Sequence, residues 1–358
     1  MKFFGQTTMR IGLLTVVAAL LFAGACNIVK TDQKTARLLK TEDATQADLI
    51  KEINRFARVN SIYAKMRLKF EDNSFAEFGS KEVYRSADGE VVVQRPASIY
   101  MKVSVPVLKS DVAQMTSDGK NFRVAILQDG GSGKYKKFVK GTNNADYSKL
   151  SKNLTSSNLD NGTAIKESVN AFANLRPQHF TDAMLVRPVD TANAYTTSTI
   201  FQIEEDAAQP KKSPLRTVMR GYYLLDELVK QADGALRIER RFWFDRVGGI
   251  RLARQQVFDA AGEVESDIIY GMEGKLTSAA DYPNMPLEIQ VTRPKEKYSM
   301  KLTYQTPELV EIGETYKDSA FMLKNTWNLE EVDLDQKLKE MVTVKSPLAN
   351  TADSARNP

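Results

Sequence analysis

Residues 98–126 read SIYMKVSVPVLKSDVAQMTSDGKNFRVAI, and this stretch decides the fold. Apolar and polar residues alternate on both sides of a central turn, beginning with Ile99, Met101 and Val103. Successive side chains on a strand point to opposite faces, so this alternation predicts strands with one buried face. The turn at Ser117 to Lys120 contains an Asp-Gly pair, which is a hairpin signal because glycine tolerates positive φ. The stretch therefore predicts an antiparallel hairpin with one apolar face.

Strands of the same kind are predicted along most of the chain. Alternating or mostly apolar runs lie at residues 62–70, 76–85, 199–203, 217–228, 238–244, 287–291 and 300–304. Together with the central stretch they give roughly ten to twelve strands and two or three helices. Sheets of this size twist and curl toward a barrel. The pattern predicts an α+β fold in which a curled antiparallel sheet packs against a few helices.

Two helices are predicted to lie on this sheet. Thr45 followed by Asp48 resembles a capping box, and residues 49–57 then repeat apolar side chains at helical spacing. A second, shorter amphipathic helix is predicted within residues 165–175. The single histidine, His179, follows it without nearby nucleophiles or metal ligands, so we expect it to have a packing or surface role.

The N-terminal region has the pattern of a segment that is removed from the folded protein. Residues 1–25 combine two cations, an apolar run at 11–22 and the small residues Ala-Gly-Ala directly before Cys26, the only cysteine. An ordinary signal peptide and a membrane-spanning helix are the alternatives, but a span needs about 20 apolar residues. The triplet and its cysteine resemble a bacterial lipobox. This resemblance implies that Cys26 is acylated and becomes the mature N-terminus.

Composition and charge exclude several classes of function. Without residues 1–25, the chain has 48 cations against 45 anions, a net charge of +3 that is too small to indicate nucleic-acid binding. One cysteine excludes a disulfide framework, so stability must come from a buried core. One histidine and one cysteine, with no conspicuous carboxylate pair, disfavour a hydrolase. We expect no catalytic residues, no cofactor and no metal.

Short motifs along the chain resemble those of the bacterial lipoprotein carriers LolA and LolB. In the first half they are Arg95-Pro96 before a strand containing Ile99, and the hairpin at 117–120. In the second half they are Trp243-Phe244-Asp245, Gly249-Ile250, Gly262, and Pro286 before Ile289. The similarity extends from about Asp48 to Val310. It implies a LolA-like fold, an incomplete, half-open antiparallel β-barrel wrapped over a few α-helices, with an apolar cavity that shelters acyl chains.

The resemblance and the patterns together divide the chain. Residues 1–25 are predicted to be a signal peptide and residues 26–42 the lipidated cysteine with its tether. Residues 43–328 are predicted to form the lipid-binding half-barrel domain, in which 141–163, rich in polar residues, is a flexible insert. Residues 329–358 are predicted to be a charged and disordered C-terminal tail, in which Glu330 to Glu340 could form a solvated helix.

The candidate site is the apolar face of the curled sheet. Its predicted cavity-lining residues are Met66, Leu68, Ile99, Met101, Val103, Phe122, Val124, Phe201, Ile203, Phe242 and Phe244. A face of this kind is either a solid core, filled by the protein's own helices, or a cavity that leaves room for a ligand. Methionine suits both, because it adapts to a lipid and also fills gaps in a core.

The sequence thus predicts a membrane-anchored periplasmic protein that binds lipids or lipoproteins. Its expected partners are acyl chains and the membrane that holds its anchor, and its expected role is lipoprotein sorting or lipid transfer to the outer membrane. Asn27 stands where an Asp would signal retention in the inner membrane, which favours an outer-membrane anchor facing the periplasm. The alternative is an interaction module that uses the same fold to sense the state of the envelope and bind a regulatory protein partner.

Overall fold

The computed structural model describes residues 35–72, 82–83, 86–104, 110–128, 133, 136–145, 147, 178–277 and 282–344. Cys26, the signal region and the predicted helix within 165–175 lie outside these ranges, as do residues 148–163 of the predicted insert. The predicted strand at 76–85 is described only at residues 82–83, which are a strand.

The described part of the chain contains seventeen strands and three α-helices. The strands are β1 (Arg37–Leu38), β2 (Ser61–Asp72), β3 (Glu82–Val83), β4 (Ala87–Gln94), β5 (Ser98–Ser104), β6 (Asp111–Asp118), β7 (Asn121–Ile126), β8 (Lys137–Thr142), β9 (Ala194–Glu205), β10 (Thr217–Lys230), β11 (Leu236–Asp245), β12 (Arg251–Phe258), β13 (Val264–Gly274), β14 (Met285–Arg293), β15 (Tyr298–Tyr304), β16 (Glu311–Ile312) and β17 (Glu330–Asp333). The helices are α1 (Gln46–Ala57), α2 (Gln178–Met184) and α3 (Leu334–Val344).

Contacts divide these residues into two units. The small unit comprises residues 35–39 and 203–219, and the large unit comprises the other described residues. In the small unit, β1 pairs in parallel with the start of β10, placing Arg37 beside Val218 and Leu38 beside Met219.

The large unit is built on one continuous sheet. Its order is β9-β10-β11-β12-β13-β14-β15-β2-β4-β5-β6-β7-β8-β17. Successive pairs from β10 to β8 are antiparallel, and β17 joins β8 in parallel. No pairing within the described ranges joins the two ends of this order, so the sheet stays open. The predicted fold class, an incomplete antiparallel barrel with a few helices, is confirmed.

The hairpin that decides the fold forms as predicted. β6 ends at Asp118, β7 begins at Asn121, and Gly119 between them has a φ of 87°. The Asp118 carboxylate accepts the backbone N–H groups of Lys120 at 2.9 Å and of Asn121 at 2.7 Å. Burial raises the pKa of Asp118, but these hydrogen bonds outweigh it and the net pKa is lowered. The ionised aspartate therefore fixes the turn.

The first predicted helix also forms with its predicted cap. The Thr45 side chain accepts the Asp48 N–H, and the Asp48 carboxylate accepts the Thr45 N–H at 2.9 Å. Leu49, Ile53 and Phe56 are buried, at the spacing expected for one face of a helix. α1 thus presents an apolar stripe to the core.

Register places the apolar residues of neighbouring strands on one face of the sheet. One row of mutually paired residues crosses seven strands and consists of Ala64, Val91, Met101, Met115, Val124, Val139 and Val332. Paired residues point to the same side of a sheet, so the row is part of a single apolar face. We call this side of the large unit's sheet the inner face.

The inner face curves around α2. This helix packs against β5 and β4 on one side and against β14 on the other, although β15 and β2 lie between them in the sheet. A flat sheet would separate β5 from β14 by about 19 Å, at ~4.8 Å per strand. The seven residues of α2 span only about 10 Å. The sheet must therefore bend toward the helix.

The prediction of a disordered tail from residue 329 is wrong for residues 330–344, which form β17 and α3. The helix that the charged run at 330–340 allowed is present, but at residues 334–344. The charges of β17 are paired with β8: Lys137 contacts Glu330, and Lys140 lies 3.3 Å from Glu331. A run of charges looks solvated in the sequence because its oppositely charged partners lie far away along the chain and cannot be recognised. Residues 345–358 lie outside the described ranges.

The prediction of a flexible insert at 141–163 needs a similar correction at its start. Residues 141–142 belong to β8, and Asn143 is buried, donating to the Ser117 hydroxyl at 2.8 Å. Tyr147 packs edge-on against Phe122, with ring centroids 6.2 Å apart. Single polar or aromatic residues can anchor a loop without any apolar period, which is why the pattern missed them.

Candidate functional site

The predicted cavity-lining residues mostly lie together on the inner face. Nine of the eleven belong to one hydrophobic core and are at most 8% exposed. They are Met66, Leu68, Ile99, Met101, Val103, Phe122, Val124, Phe242 and Phe244. The structure thus brings strands from both halves of the sequence to one apolar surface, as the alternation indicated.

Phe201 and Ile203 do not join this surface, which corrects the prediction for both residues. Phe201 is 47% exposed and Ile203 is 67% exposed. They lie on β9, most of whose residues are exposed or only partly buried. A period of two identifies residues that share a face, but it does not say which face is covered. Phe201 and Ile203 were therefore assigned to the inner face because they alternate along the strand, although their side chains are exposed.

Methionines are scattered through the hydrophobic core, which consists mainly of Leu, Ile and Val. Six of them are buried there: Met66, Met101, Met115, Met184, Met285 and Met300. Unbranched thioether side chains adopt many rotamers at low cost and adapt to irregular neighbours. At these six positions the core can therefore adapt to a changed neighbour more easily than at its branched aliphatic positions.

Two helices and one segment cover the inner face, and we call them together the cover. They are α1, α2 and residues 185–188. Leu49 and Ile53 of α1, Phe180 and Ala183 of α2, and Leu185 are all buried in the same core as the sheet residues. No second sheet lies on this side within the described ranges. Near β8, Tyr147 and the α3 residues Leu334 and Leu338 also pack against this core.

Arg95 attaches the cover to the turn between β4 and β5. Its guanidinium donates to the carbonyls of Ala57 (3.2 Å) and Val59 (3.0 Å) at the end of α1. It also donates to the carbonyl of Val186 at 2.7 Å. Burial lowers the pKa of Arg95. One side chain thus joins the two chain segments that form the cover.

Two tyrosines attach the cover to the opposite strands. The Tyr270 hydroxyl of β13 donates to the carbonyl of Ala183 at 3.1 Å, and burial raises the pKa of Tyr270. The Tyr298 hydroxyl of β15 lies 2.8 Å from His179 Nδ1. His179 is buried, in agreement with the packing role expected for it. Both contacts are polar. If the cover separated from the sheet, water could replace it as the hydrogen-bond partner of the Tyr270 and Tyr298 hydroxyls.

A buried ion pair between Arg240 and Glu227 holds the end of the cover. This role was not predicted from the sequence. Arg240 donates to Glu227 and to the carbonyls of Arg187 (2.9 Å) and Pro188 (2.8 Å). The signal was present, because Arg240 occupies an inward position in the alternating run at 238–244. A charge at such a position predicts a buried partner.

The Glu227 carboxylate accepts hydrogen bonds from three side chains. Besides Arg240, it accepts hydrogen bonds from the Asn193 amide at 2.8 Å and the Tyr195 hydroxyl at 2.9 Å. Burial raises the pKa of Glu227, but the hydrogen bond and charge of Arg240 outweigh this effect and the net pKa is lowered. Burial and the neighbouring carboxylate raise the pKa of Tyr195. The carboxylate is ionised and the phenol is neutral at physiological pH.

Beside this ion pair lies an open cleft of about 860 Å³. Its walls come from the turn after β4, from residues 187–193, and from the ends of β10 and β11. A second cleft of about 190 Å³ lies beside α1 and β13. None of the eleven predicted residues lines either cleft. Neither of these two clefts therefore opens onto the predicted residues of the inner face.

The described residues contain no cluster of three or more His, Cys, Asp or Glu side chains arranged to hold a metal ion. None of the helices within those ranges is sufficiently long and apolar to cross a bilayer.

The sequence matches no family model and no curated protein. Solved structures do resemble the chain. A LolA superfamily protein from Nitrosomonas europaea is 10% identical, with a TM-score of 0.39, covering 78% of this chain and 99% of its own. A domain from Vibrio parahaemolyticus described as outer membrane lipoprotein-sorting is 8% identical, with a TM-score of 0.37 and coverage of 76% and 94%.

A DUF1329 family protein from Desulfovibrio piger is 11% identical, with a TM-score of 0.36 and coverage of 77% and 95%. The open sheet around helices is established by the strand pairings of the chain itself.

Proposed function

We propose that this protein is a membrane-anchored envelope protein that shelters acyl chains of lipids or lipoproteins between the inner face and its cover. It acts by binding and needs no nucleophile or cofactor. Acylated Cys26 holds it to a membrane, with the outer membrane favoured by Asn27, and its role is lipoprotein sorting or lipid transfer.

One observation supports this proposal above the others. A continuous apolar sheet face is covered by short helical elements that polar side chains fasten through main-chain carbonyls. Such hydrogen bonds contribute about 1 kcal/mol each, because water can replace the partner once the cover moves away. Lifting the cover also exposes apolar side chains such as Leu49, Ile53 and Phe180. A short helix buries less apolar area than a second sheet would, so we infer that the cover can separate locally while the sheet stays intact.

The energy of acyl burial is large enough to offset this separation. Each buried methylene contributes about 0.8 kcal/mol, so a chain of ~14 carbons supplies on the order of 10 kcal/mol. This is comparable with the whole folding free energy of a typical domain, about 5–15 kcal/mol. An acyl chain would also restore apolar contacts for the residues that the cover had buried. Six adaptable methionines favour repacking around such a guest.

The test measures uptake of a fluorescent fatty acid by the full chain, extracted from its membrane in mild detergent. The wild-type protein should bind the probe saturably. Phe242→Ala should bind less, because it removes a fully buried aromatic from the inner face. Phe201→Ala is the matched control, since it makes the same change at an exposed position and should bind as the wild type does.

Thermal unfolding of the same three proteins separates binding from stability. Phe242→Ala should cost about 3–5 kcal/mol, because the position is packed in the closed protein. Phe201→Ala should change stability by about 0.5 kcal/mol or less. A wild-type protein that takes up no fatty acid would contradict the proposal. Co-purification of a stable protein partner without lipid would then favour the envelope-sensing interaction module.

A further inference from the structure

We propose that the small unit carries a bilayer-contacting surface, consisting of an apolar row on its strands and a cationic loop. The occupant is the surface of the membrane that holds the anchor. This inference rests on the lipid anchor in the proposed function, but it concerns a different part of the molecule from the inner face.

The apolar row follows from the strand register within the small unit. Leu38 pairs with Met219, so both side chains lie on one face. The N–H of Asp206 donates to the carbonyl of Arg216 at 2.7 Å. β9 and β10 run antiparallel, so the residue three before Asp206 lies opposite the residue three after Arg216. Ile203 is therefore opposite Met219. Ile203, Met219 and Leu38 therefore form one row across three strands.

The two outer residues of the row are exposed although they are apolar, and Met219 between them is partly buried. Ile203 is 67% exposed and Leu38 is 62% exposed. Leu215, in the loop that connects the two longer strands, is 50% exposed. Three of the large apolar side chains that are exposed thus occur within the 22 described residues of the small unit. Adjacent exposed apolar side chains on a small surface indicate a contact with a membrane or a partner.

The charge of the loop favours an anionic membrane surface. Between Asp206 and Arg216 the only charged residues are Lys211 and Lys212, and both are exposed. Lysines close to an apolar contact are attracted to anionic headgroups while their aliphatic stems lie along the interface. Leu215 lies three residues from this pair and can enter the headgroup region beside it. The loop combines the two features of an interfacial anchor.

Three acidic residues of the small unit do not oppose this contact. Glu205 is engaged by Arg216 at 2.9 Å, which neutralises it at the base of the loop. The Asp206 carboxylate accepts the N–H of Ala208 at 3.0 Å and closes the turn there. Glu204 neighbours Ile203 on the strand, so it points to the opposite face. The four cations of the small unit, Arg37, Lys211, Lys212 and Arg216, thus outnumber its three acids, and no acid lies between Asp206 and Arg216 in the loop.

Chain length places this surface near the proposed anchor. Nine peptide units separate Cys26 from Thr35, the first described residue, and they span at most about 32 Å even when fully extended. The small unit contains this first described segment. It is therefore the part of the described protein that follows an acylated Cys26 most closely in sequence, and its first residue lies within reach of the bilayer.

The test uses the full chain, purified from its membrane and reconstituted into vesicles that contain phosphatidylglycerol. An environment-sensitive fluorophore is attached to Leu215→Cys and, separately, to Ile203→Cys. Leu236→Cys and Leu309→Cys are matched controls, because these leucines are similarly exposed in the large unit. Labelled wild-type protein supplies the background from Cys26. Mass spectrometry of the N-terminal peptide reports separately whether Cys26 is acylated.

We expect blue-shifted emission at positions 215 and 203, and loss of most of it to lipids that carry a nitroxide near the headgroup. The two control labels should keep their emission. Lys211→Glu with Lys212→Glu should abolish the shift at position 215 on these vesicles. Emission at 215 and 203 that matches the controls would overturn the inference, whether or not Cys26 is acylated. So would an equal blue shift without vesicles, which would indicate a protein contact or a second copy.

Discussion

Arg240 and Glu227 form an ion pair inside the large unit, and the same guanidinium donates to the carbonyls of Arg187 at 2.9 Å and Pro188 at 2.8 Å. Both side chains are almost completely buried. The pair therefore couples the sheet, through β10 and β11, to the end of the cover. A charge placed in the core at this point favours one position of the cover over others.

Loss of the Glu227 charge should destabilise the protein strongly. Glu227→Gln leaves the Arg240 guanidinium buried without a counter-charge, which costs about 3–5 kcal/mol. Urea unfolding measures this loss. Glu205→Gln is the control, because Glu205 pairs with Arg216 at the surface and its loss should cost about 1 kcal/mol or less. Equal effects of the two variants would show that the buried pair has no special role.

The stability difference between wild type and Glu227→Gln should depend on pH. The pKa of Glu227 is lowered in the folded protein, so its contribution is complete above the ordinary glutamate value of 4.5. It is lost as the pH falls through the lower, folded pKa, where the wild-type carboxyl also becomes neutral. The difference should therefore be constant near neutral pH and shrink in acid. A difference that grows on acidification would contradict this assignment.

The C-terminal strand should protect one edge of the sheet. A chain that ends at Leu329 lacks β17 and leaves the backbone donors and acceptors of β8 without their strand partner. Unpaired edges template association with other chains. We expect this truncated protein to form larger species in size-exclusion chromatography. A chain that ends at Val344 retains β17 and α3 and should elute as the wild type does; identical elution of both truncations would refute the edge role.

The lipobox resemblance predicts how the protein partitions in cells. Cys26→Ser cannot be acylated at this position, so we expect the variant to appear in the soluble periplasmic fraction. The wild type should remain with the membranes. Fractionation with quantitative blotting compares the two, and a variant that stays fully membrane-bound would rule out acylation of Cys26 as the anchor.

Local patterns predicted the parts of the fold whose causes are local. The hairpin at Asp118 follows from turn chemistry, and the start of α1 follows from the cap at Thr45. Alternation identified nine inner-face residues, because pleating is set by neighbours in sequence. It assigned Phe201 to the wrong face, because burial depends on what packs against the strand.

Contacts between distant segments could not be read from the sequence. Tyr147 is buried in a polar stretch because Phe122 and Asp335 are brought to it by the fold. Residues 330–333 appear solvated until β8 supplies lysines and a strand edge. The carbonyls that Arg240 binds are backbone groups, which carry no signature in the sequence. Of the cover, therefore, only α1 was predictable; α2 at 178–184 was not predicted, and neither was the attachment of the cover to the sheet.

The most direct test of acyl binding maps where a bound lipid lies. Photo-methionine replaces all methionines in the full chain, and illumination with native or added lipid is followed by peptide mass spectrometry. We predict lipid adducts at the inner-face positions Met66, Met101 and Met115, which are completely buried in the closed protein. Met272 and Met322 are exposed and supply internal controls that should show few adducts. Adducts confined to these exposed positions, with none at the inner face, would contradict the proposed function.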